Sequence, residues 1–393
     1  MNENGKDENW SNLRNKLFAI KGLTFIGSAD IIGIVITAVF WFTIATFLEV
    51  EEFGQIHYSL AIAGMAYIVA MIGTRNAITV YSAKKVNVVS TLFFFSLLAG
   101  AMSALVVFFI SNQFHVSFLI LGFLVNDLAL GYLIGKKLFK NYSKYVLTQK
   151  ILTFLLGIGF YFVLGPEGII LALALSYIHF LILIYKGLKT SPINFSALKP
   201  RTGFIINNYT HSALGGLRAN IDKLIIAPLL GFTLLGNLAL AMQFYVILAI
   251  IPSVVFKYTL SYDASGIPTT KVKLWTVSFA IASCVATLVL SPHIIPIFFP
   301  QFSEVVIAVQ ILSICIIPDT IANIFYTSKF LGLEKSKNPL IAIAITVMLT
   351  ALGIIILGPM YGILGVSFSF VIASFGNFTY LFFANRAFKM TQK

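Results

Sequence analysis

Hydrophobic and polar positions alternate in long blocks along the chain, with apolar stretches separated by short polar connections. A helix that spans a bilayer needs about 20 predominantly apolar residues. The pattern therefore predicts an all-α polytopic membrane protein with about twelve transmembrane helices. The predicted spans are residues 24–48, 54–74, 86–110, 115–135, 146–164, 168–186, 203–230, 235–256, 273–291, 304–326, 339–358 and 361–385.

Basic residues occur in every second connection and in both tails. The connections between them contain no Lys or Arg and hold the acidic residues Glu49, Glu51, Glu52, Glu167 and Glu304. Basic connections stay on the cytoplasmic side of a membrane. The asymmetry predicts a multi-pass protein of the cell membrane with both termini in the cytoplasm. The two exceptions are Arg218 and Lys223, which lie inside the seventh predicted span.

Composition supports a membrane protein, and missing catalytic motifs argue against an enzyme. The chain is 59% hydrophobic and 10% charged, with a mean hydropathy of +0.93. Its net charge of +13 lies in membrane-flanking connections, so we expect no nucleic-acid partner. Cys284 and Cys315 lie in apolar segments and read as core residues. The sequence contains no P-loop, His-Glu-x-x-His or paired-Cys motif, so we predict no cofactor and no metal site.

Two pairs of similar junctions suggest an internal duplication. Residues 47–54 resemble residues 229–236, and residues 164–168 resemble residues 357–362. We therefore predict two six-helix lobes, residues 1–190 and 191–393. Because each has an even number of spans, their pseudo-two-fold axis is expected along the membrane normal, with substrate bound between them near the midplane.

The seventh span carries a stripe of polar residues on one helical face. The stripe comprises Asn207, His211, Gly215, Arg218 and Asp222, at the spacing of successive helical turns. A polar stripe has to face protein or water rather than lipid. Arg218 lies ~20 Å from the outer connection at 1.5 Å per residue, which is near mid-membrane.

Two interpretations of this charged cluster remain open. In the first, Arg218 and Asp222 form an ion pair one helical turn apart, which leaves Lys223 to contact another acid: Asp30, Asp127 or Asp319. In the second, Arg218 binds an anion and is held in place by Asp222, with Lys223 nearby. Arginine suits phosphate because its planar guanidinium donates two parallel hydrogen bonds.

Three further acids fall inside predicted spans. Asp30 lies in span one, Asp127 in span four, and Asp319 follows Pro318 in span ten. Each is a candidate proton or ion-coupling site, and each is equally a candidate partner that pins helices together. Arg75 ends predicted span two, where it is either a boundary residue that reaches toward the interface or a contact for an anionic headgroup.

Several stretches resemble a known family in the order of their motifs. They are residues 45–54, 137–143, 222–231, 298–304 and 358–365. Together they resemble the O-antigen type of polysaccharide flippase in the multidrug/oligosaccharidyl-lipid/polysaccharide (MOP) exporter superfamily. The resemblance covers essentially the whole chain, although each motif alone is degenerate.

The resemblance implies movement of a lipid-linked oligosaccharide from the cytoplasmic to the outer leaflet by alternating access. The implied partners are this lipid substrate, the bilayer and glycan-assembly enzymes. From the matched motif, only Asp222 and Lys223 carry over as substrate contacts. The helical faces and boundary positions add the other candidate substrate-binding residues: Arg218, Asp30, Asn207, His211 and Arg75.

Two other functions are alternatives to the flippase. The first is a multidrug antiporter of the same superfamily, which exports organic cations in exchange for protons or sodium. Cavity charge separates it from the flippase, since a cation exporter needs acids at the midplane and a phosphate carrier needs surplus Arg and Lys. Apart from residues near the span ends, the predicted spans contain two bases, Arg218 and Lys223, and four acids, Asp30, Asp127, Asp222 and Asp319, which favours the antiporter by count. A membrane-embedded glycosyltransferase or polymerase fits less well, because the outer connections are short.

Overall fold

A computed structural model describes residues 3–390 except Gly266. Long helices joined by short connections make up most of it. The helices are α1 (Glu3–Phe47), α2 (Val50–Ala70), α3 (Arg75–Ala83), α4 (Val89–Ser111), α5 (Phe114–Gly135), α6 (Phe139–Leu164), α7 (Pro166–Leu175), α8 (Leu181–Leu188), α9 (Thr202–Leu230), α10 (Phe232–Leu248), α11 (Ile250–Ala264), α12 (Thr270–Phe298), α13 (Val305–Ile321), α14 (Ser328–Gly332) and α15 (Lys337–Met390).

The helices confirm the predicted class of all-α polytopic membrane protein. Every predicted span overlaps a helix. Within the described residues, 9 helical segments are long and apolar enough to cross a membrane, or 10 if the bent pair α10 and α11 is one span. Helix α9 is not among them because its polar stripe makes it less apolar. Helix α15 covers the last two predicted spans, and the backbone leaves helical geometry at Gly362 (φ 57°, ψ −134°), at the start of the last predicted span.

Contacts group the chain into two compact units. The first unit comprises Met1–Thr37, Val69–Phe160 and Leu171–Tyr209, and the second comprises Ala38–Ile68, Tyr161–Ile170 and Thr210–Lys393. Each unit is therefore assembled from separate parts of the sequence. The division into lobes at residue 190 stays a prediction.

Helix α5 lies at the centre of the first unit, where α3, α4 and α8 pack against it. Glycines allow α3 to approach closely. A Cβ atom at Gly131 would lie 2.8 Å from the carbonyl oxygen of Arg75, and one at Gly135 would lie 2.6 Å from that of Thr79. This packing brings the N-terminus of α3 beside Asp127 on α5.

Helix α13 lies at the centre of the second unit, where α10, α12 and α15 pack against it. Its sequence interrupts regular helical hydrogen bonding near the C-terminal end. Pro318 lacks an N–H group, and a π-helical turn follows at Ala322–Thr327. Single π-helical turns inside longer helices are frequent at functional sites. Asp319 lies between these two irregularities.

Two similar junctions of the second unit pack against each other reciprocally. A Cβ atom at Gly54 would lie 2.0 Å from the carbonyl oxygen of Phe232, and one at Gly236 would lie 2.0 Å from that of Val50. Adding 182 to the residue numbers of Val50 and Gly54 gives Phe232 and Gly236, so the two contacts are the same contact with the roles of the helices exchanged. A pseudo-two-fold relation between α2 and α10 requires this reciprocity, which agrees with the duplication expected from the junction sequences.

A buried ion pair joins α11, α12 and α14 in the second unit. The Lys273 ammonium donates to both carboxylate oxygens of Asp263, at 2.9 and 2.7 Å, and the Ser328 hydroxyl donates to the same carboxylate at 2.5 Å. Lys273 is only 8% exposed. The sequence places this lysine in a basic connection, but the structure buries it at a junction of three helices.

Candidate functional site

A cavity of about 410 Å³ lies in the second unit. Helices α9, α10 and α13 line it, together with α15 on both sides of its break and one residue of α2. The polar and charged lining residues are His57, Arg218, Asp222, Lys223, Gln243, Tyr245, Asp319, Thr346, Thr350 and Ser374. Apolar side chains such as Met242, Val246 and Phe370 complete the wall. Apolar walls with a few convergent polar groups are typical of small-molecule sites.

Arg218 presents an exposed side chain to this cavity. No carboxylate of the described residues lies within ion-pair distance of its guanidinium. The same-helix pair of Arg218 with Asp222, which one interpretation of the sequence predicts, is therefore absent from the described part of the chain. An unpaired guanidinium in a cavity retains its hydrogen-bond donors for a ligand.

Asp222 pairs instead with its neighbour Lys223. The Lys223 ammonium lies 3.2 Å from both carboxylate oxygens and also donates to the carbonyl oxygen of Ala219 at 2.9 Å. Asp222 is buried, with an exposed fraction of 4%. The expectation that Lys223 would contact Asp30, Asp127 or Asp319 is wrong, because the flexible lysine folds back along its own helix. This pair neutralises one acid and one base of the cavity.

Asp319 accepts hydrogen bonds on both of its carboxylate oxygens. The Tyr245 hydroxyl of α10 donates to Oδ2 at 2.5 Å, and the Ser374 hydroxyl of α15 donates to Oδ1. Pro318 and the π-helical turn flank this acid on α13. Three helices therefore fix the orientation of the carboxylate inside the cavity.

Some residues of the polar stripe on α9 line the cavity and others do not. Gly215 lines the cavity together with Arg218. Asn207 and His211 are exposed on earlier turns of α9, but neither belongs to the described lining. Gly216 faces the other way, where a Cβ atom would clash with the Ile68 side chain. The site formed by the stripe is thus confined to its C-terminal half.

Arg75 and Asp127 form an ion pair in the first unit. The sequence places Arg75 at the end of span two, but α2 ends at Ala70 and Arg75 begins the separate helix α3. Thr74 caps this helix by accepting a hydrogen bond from the Ala77 amide at 3.3 Å. Asp127 therefore pins α3 to α5, and its cationic partner is Arg75 rather than Arg218 or Lys223.

Asp30 accepts a hydrogen bond from the Tyr142 hydroxyl at 2.9 Å. The charges of Asp30, Arg75 and Asp127 all act on that hydroxyl, so the intramembrane acids of the first unit lie close to one another. Lys150 packs its aliphatic stem against Gly33, one turn from Asp30, with 3.5 Å between its Cγ and a Cβ built there. These groups form a polar cluster of their own within the first unit.

Sequence reasoning missed several lining residues of the cavity. Gln243 and Tyr245 lie two residues apart in the eighth predicted span, Ser374 lies in the twelfth, and His57 lies in span two. The Nε2 atom of His57 is buried and has no hydrogen-bond partner among the described residues. The usable signal was the adjacency of Gln243 and Tyr245 in an otherwise apolar segment, because polar groups in lipid-spanning helices have to face protein.

Comparison with known proteins identifies the fold. No family model and no curated protein matches the sequence. Among solved structures, an inward-facing multidrug resistance MATE family transporter of the MOP superfamily superimposes with a TM-score of 0.66 at 13% identity, covering 91% of this chain and 100% of its own. The lipid II flippase MurJ superimposes with a TM-score of 0.65 at 15% identity, covering 94% and 87%.

A third similar structure is a MOP superfamily transporter from Pyrococcus furiosus, with a TM-score of 0.64 at 15% identity and coverage of 95% and 96%. Its description relates a reversed polarity of the binding pocket to a different function. At these identities the likeness concerns the fold. The chain is a multi-pass membrane protein with the fold shared by MATE family transporters, MurJ and other transporters of the MOP superfamily.

Proposed function

We propose that the chain transports a prenyl-pyrophosphate-linked oligosaccharide from the cytoplasmic to the outer leaflet of the cell membrane, for polysaccharide biosynthesis. The fold is that of transporters that include a lipid flippase. In this proposal Arg218 binds the pyrophosphate, and the prenyl tail stays in the lipid. Both termini lie in the cytoplasm, where glycan-assembly enzymes would deliver the substrate.

The observation that carries the proposal is that Arg218 has no ion-pair partner among the described residues. Each intramembrane acid already has a donor: Asp222 from Lys223, Asp319 from Tyr245 and Ser374, Asp127 from Arg75, and Asp30 from Tyr142. The charged group of the cavity that has no hydrogen-bond partner among the described residues is therefore the guanidinium of Arg218. A guanidinium binds phosphate oxygens through charge-assisted, paired hydrogen bonds.

The cavity size favours recognition of the head of such a substrate. Its volume of about 410 Å³ lies within the range of about 300–1,000 Å³ that small-molecule sites occupy. This space accommodates a pyrophosphate with the first sugar rather than a complete glycan. His57, Gln243, Thr346 and Thr350 provide further polar contacts around it.

Export of organic cations is the second candidate, and Asp319 is the observation that favours it. This carboxylate lines the same cavity and its hydrogen-bond partners are hydroxyl groups rather than a cation. MATE family transporters also share the fold. A cation exporter would bind its substrate at Asp319 and would gain affinity when Arg218 is neutralised.

Ion coupling is assigned to the acids that have hydroxyl partners. We propose Asp30 and Asp319 as the candidate proton or ion-coupling residues, because each is an acid of a predicted span whose carboxylate accepts a hydrogen bond from a tyrosine hydroxyl. Asp127 is assigned a structural role, since Arg75 neutralises it. Asn207 and His211 remain candidate contacts for the glycan as it passes α9.

Transport in proteoliposomes tests the proposal. Purified protein is reconstituted, and translocation of a fluorescent prenyl-pyrophosphate-linked disaccharide is compared with efflux of ethidium. We expect wild-type protein to move the lipid, Arg218→Leu to lose at least about 90% of this activity, and Arg218→Lys to recover only part, because a point charge lacks the paired donors.

Arg386→Leu is the matched control, since it removes an exposed arginine outside the cavity. It should transport at the wild-type rate. Wild-type lipid transport by Arg218→Leu would contradict the assignment of Arg218. Ethidium efflux without lipid translocation would replace the proposal with cation export.

A further inference from the structure

Arg218 and Asp319 line one cavity without forming an ion pair among the described residues. Arg218 lies close enough for its charge to act on the Tyr245 hydroxyl, which is itself bonded to Asp319. Opposite charges attract much more strongly in a cavity of low dielectric constant than in water. A restraint on the carboxylate therefore favours the separation of the two charges.

Two hydroxyl groups supply this restraint from different helices. Tyr245 on α10 donates to one oxygen of Asp319 at 2.5 Å, and Ser374 on α15 donates to the other. Ser374 is 4% exposed, so water cannot readily replace it. Turning the carboxylate toward Arg218 would break both bonds. The Tyr245 hydroxyl would lose its acceptor, and the Ser374 hydroxyl would keep only the carbonyl oxygen of Cys315 at 3.5 Å, which is costly.

We propose that Tyr245 and Ser374 are positioning residues that hold Asp319 away from Arg218 and so keep the guanidinium available for a pyrophosphate group. This inference rests on the proposed function, because it assumes that Arg218 is the anion site. Asp319 then acts as an internal competitor for Arg218. Removal of the two hydroxyl groups frees the carboxylate to pair with the guanidinium and to exclude the ligand.

Pyrophosphate affinity separates positioning from a merely structural role. Isothermal titration of inorganic pyrophosphate into the full-length protein in nanodiscs gives the affinity of folded molecules. We expect Tyr245→Phe/Ser374→Ala to bind at least about tenfold more weakly than wild type, which corresponds to about 1.4 kcal/mol. Tyr361→Phe, which removes the hydroxyl of an exposed tyrosine, is the matched control and should leave the affinity unchanged.

A second substitution that restores the affinity provides the decisive test. Adding Asp319→Asn to the double variant should restore pyrophosphate affinity to within about twofold of wild type, because the neutral amide no longer competes for Arg218. A structural role for the hydroxyl groups predicts no such rescue. Unchanged affinity in the double variant, or a loss that Asp319→Asn does not reverse, would overturn the inference.

Arg218→Leu in the same titration separates a test of the anion site from a test of the positioning role of Tyr245 and Ser374. If wild type binds pyrophosphate and Arg218→Leu does not, the anion site stands, whatever the hydroxyl variants do. If wild type does not bind it, or if binding is independent of Arg218, the proposed function itself fails. The inference about Tyr245 and Ser374 is then overturned with it.

Discussion

The reciprocal glycine contact between α2 and α10 allows a stability effect to be worked out. Gly54→Ala places a Cβ atom 2.0 Å from the carbonyl oxygen of Phe232, and Gly236→Ala places one 2.0 Å from that of Val50. Ordinary Cβ contacts begin at 3.4 Å, so the helices have to separate by about 1.4 Å. The obstacle is backbone in both cases, so a side-chain rotation cannot relieve it.

Two opposing contributions set the expected change in unfolding free energy. Overpacking costs typically about 1–3 kcal/mol, and a backbone obstacle belongs at the upper end of that range. Replacing a helical glycine by alanine returns about 0.5–1 kcal/mol through backbone entropy. We therefore expect each variant to lose about 2 kcal/mol of unfolding free energy. The double variant should lose less than the sum, because both changes act on one interface.

Thermal unfolding of the purified protein, followed by intrinsic fluorescence, measures this effect. Gly159→Ala is the matched control, since a Cβ atom there meets nothing within 4 Å. It should raise the unfolding temperature slightly, while Gly54→Ala and Gly236→Ala lower it by several degrees. If Gly54→Ala proved as stable as Gly159→Ala, the close approach of α2 and α10 would be refuted.

Two further predictions concern the charged pair on α9 and the membrane orientation. Asp222→Leu should lose about 3 kcal/mol of unfolding free energy, because it leaves Lys223 unpaired in a mostly buried position. Asp222→Leu/Lys223→Leu should be close to wild type in thermal unfolding. Equal losses in the single and double variants would argue against the pair. A cysteine at the exposed position Glu167 should react with an impermeant thiol reagent added to intact cells, and one at the exposed position Lys140 should not. Background labelling should be low because both native cysteines are buried. The opposite labelling pattern would reverse the proposed orientation.

The arrangement of spans was predictable because the bilayer imposes it. A spanning segment has to satisfy its backbone hydrogen bonds internally and match the thickness of the hydrocarbon core, so helix positions follow from hydropathy alone. The similar junctions at Gly54 and Gly236 were equally visible. Their reciprocal contact follows from the absence of a side chain at both positions.

The pairing of charges was not predictable to the same degree. Spacing along a helix favours Arg218 with Asp222, but a lysine next to the aspartate reaches it by folding back on its own helix. Arg75 was expected at a membrane boundary, yet the start of α3 turns it toward Asp127. Such partners depend on the packing of neighbouring helices, about which hydropathy carries no information.

Hydroxyl partners were the least predictable part of the site. Serine and tyrosine occur in many spans, often bonded only to a carbonyl group of their own helix, as with the Ser369 hydroxyl and the carbonyl oxygen of Gly365. Nothing in the sequence distinguishes Ser374 from these, and only the nearby Gln243 marks Tyr245. Their role follows only from the position of Asp319 on the central helix α13.

Binding of two ligands of opposite charge to the same purified protein tests most directly whether the cavity serves an anion. Inorganic pyrophosphate and the organic cation tetraphenylphosphonium are titrated into wild-type protein and into Arg218→Leu in nanodiscs. The unpaired guanidinium predicts that wild type binds pyrophosphate, that Arg218→Leu binds it at least about tenfold more weakly, and that neither protein binds the cation measurably. Tight binding of tetraphenylphosphonium to wild type, strengthened by Arg218→Leu and unaffected by pyrophosphate, would contradict the assignment of the cavity to a phosphate-bearing substrate.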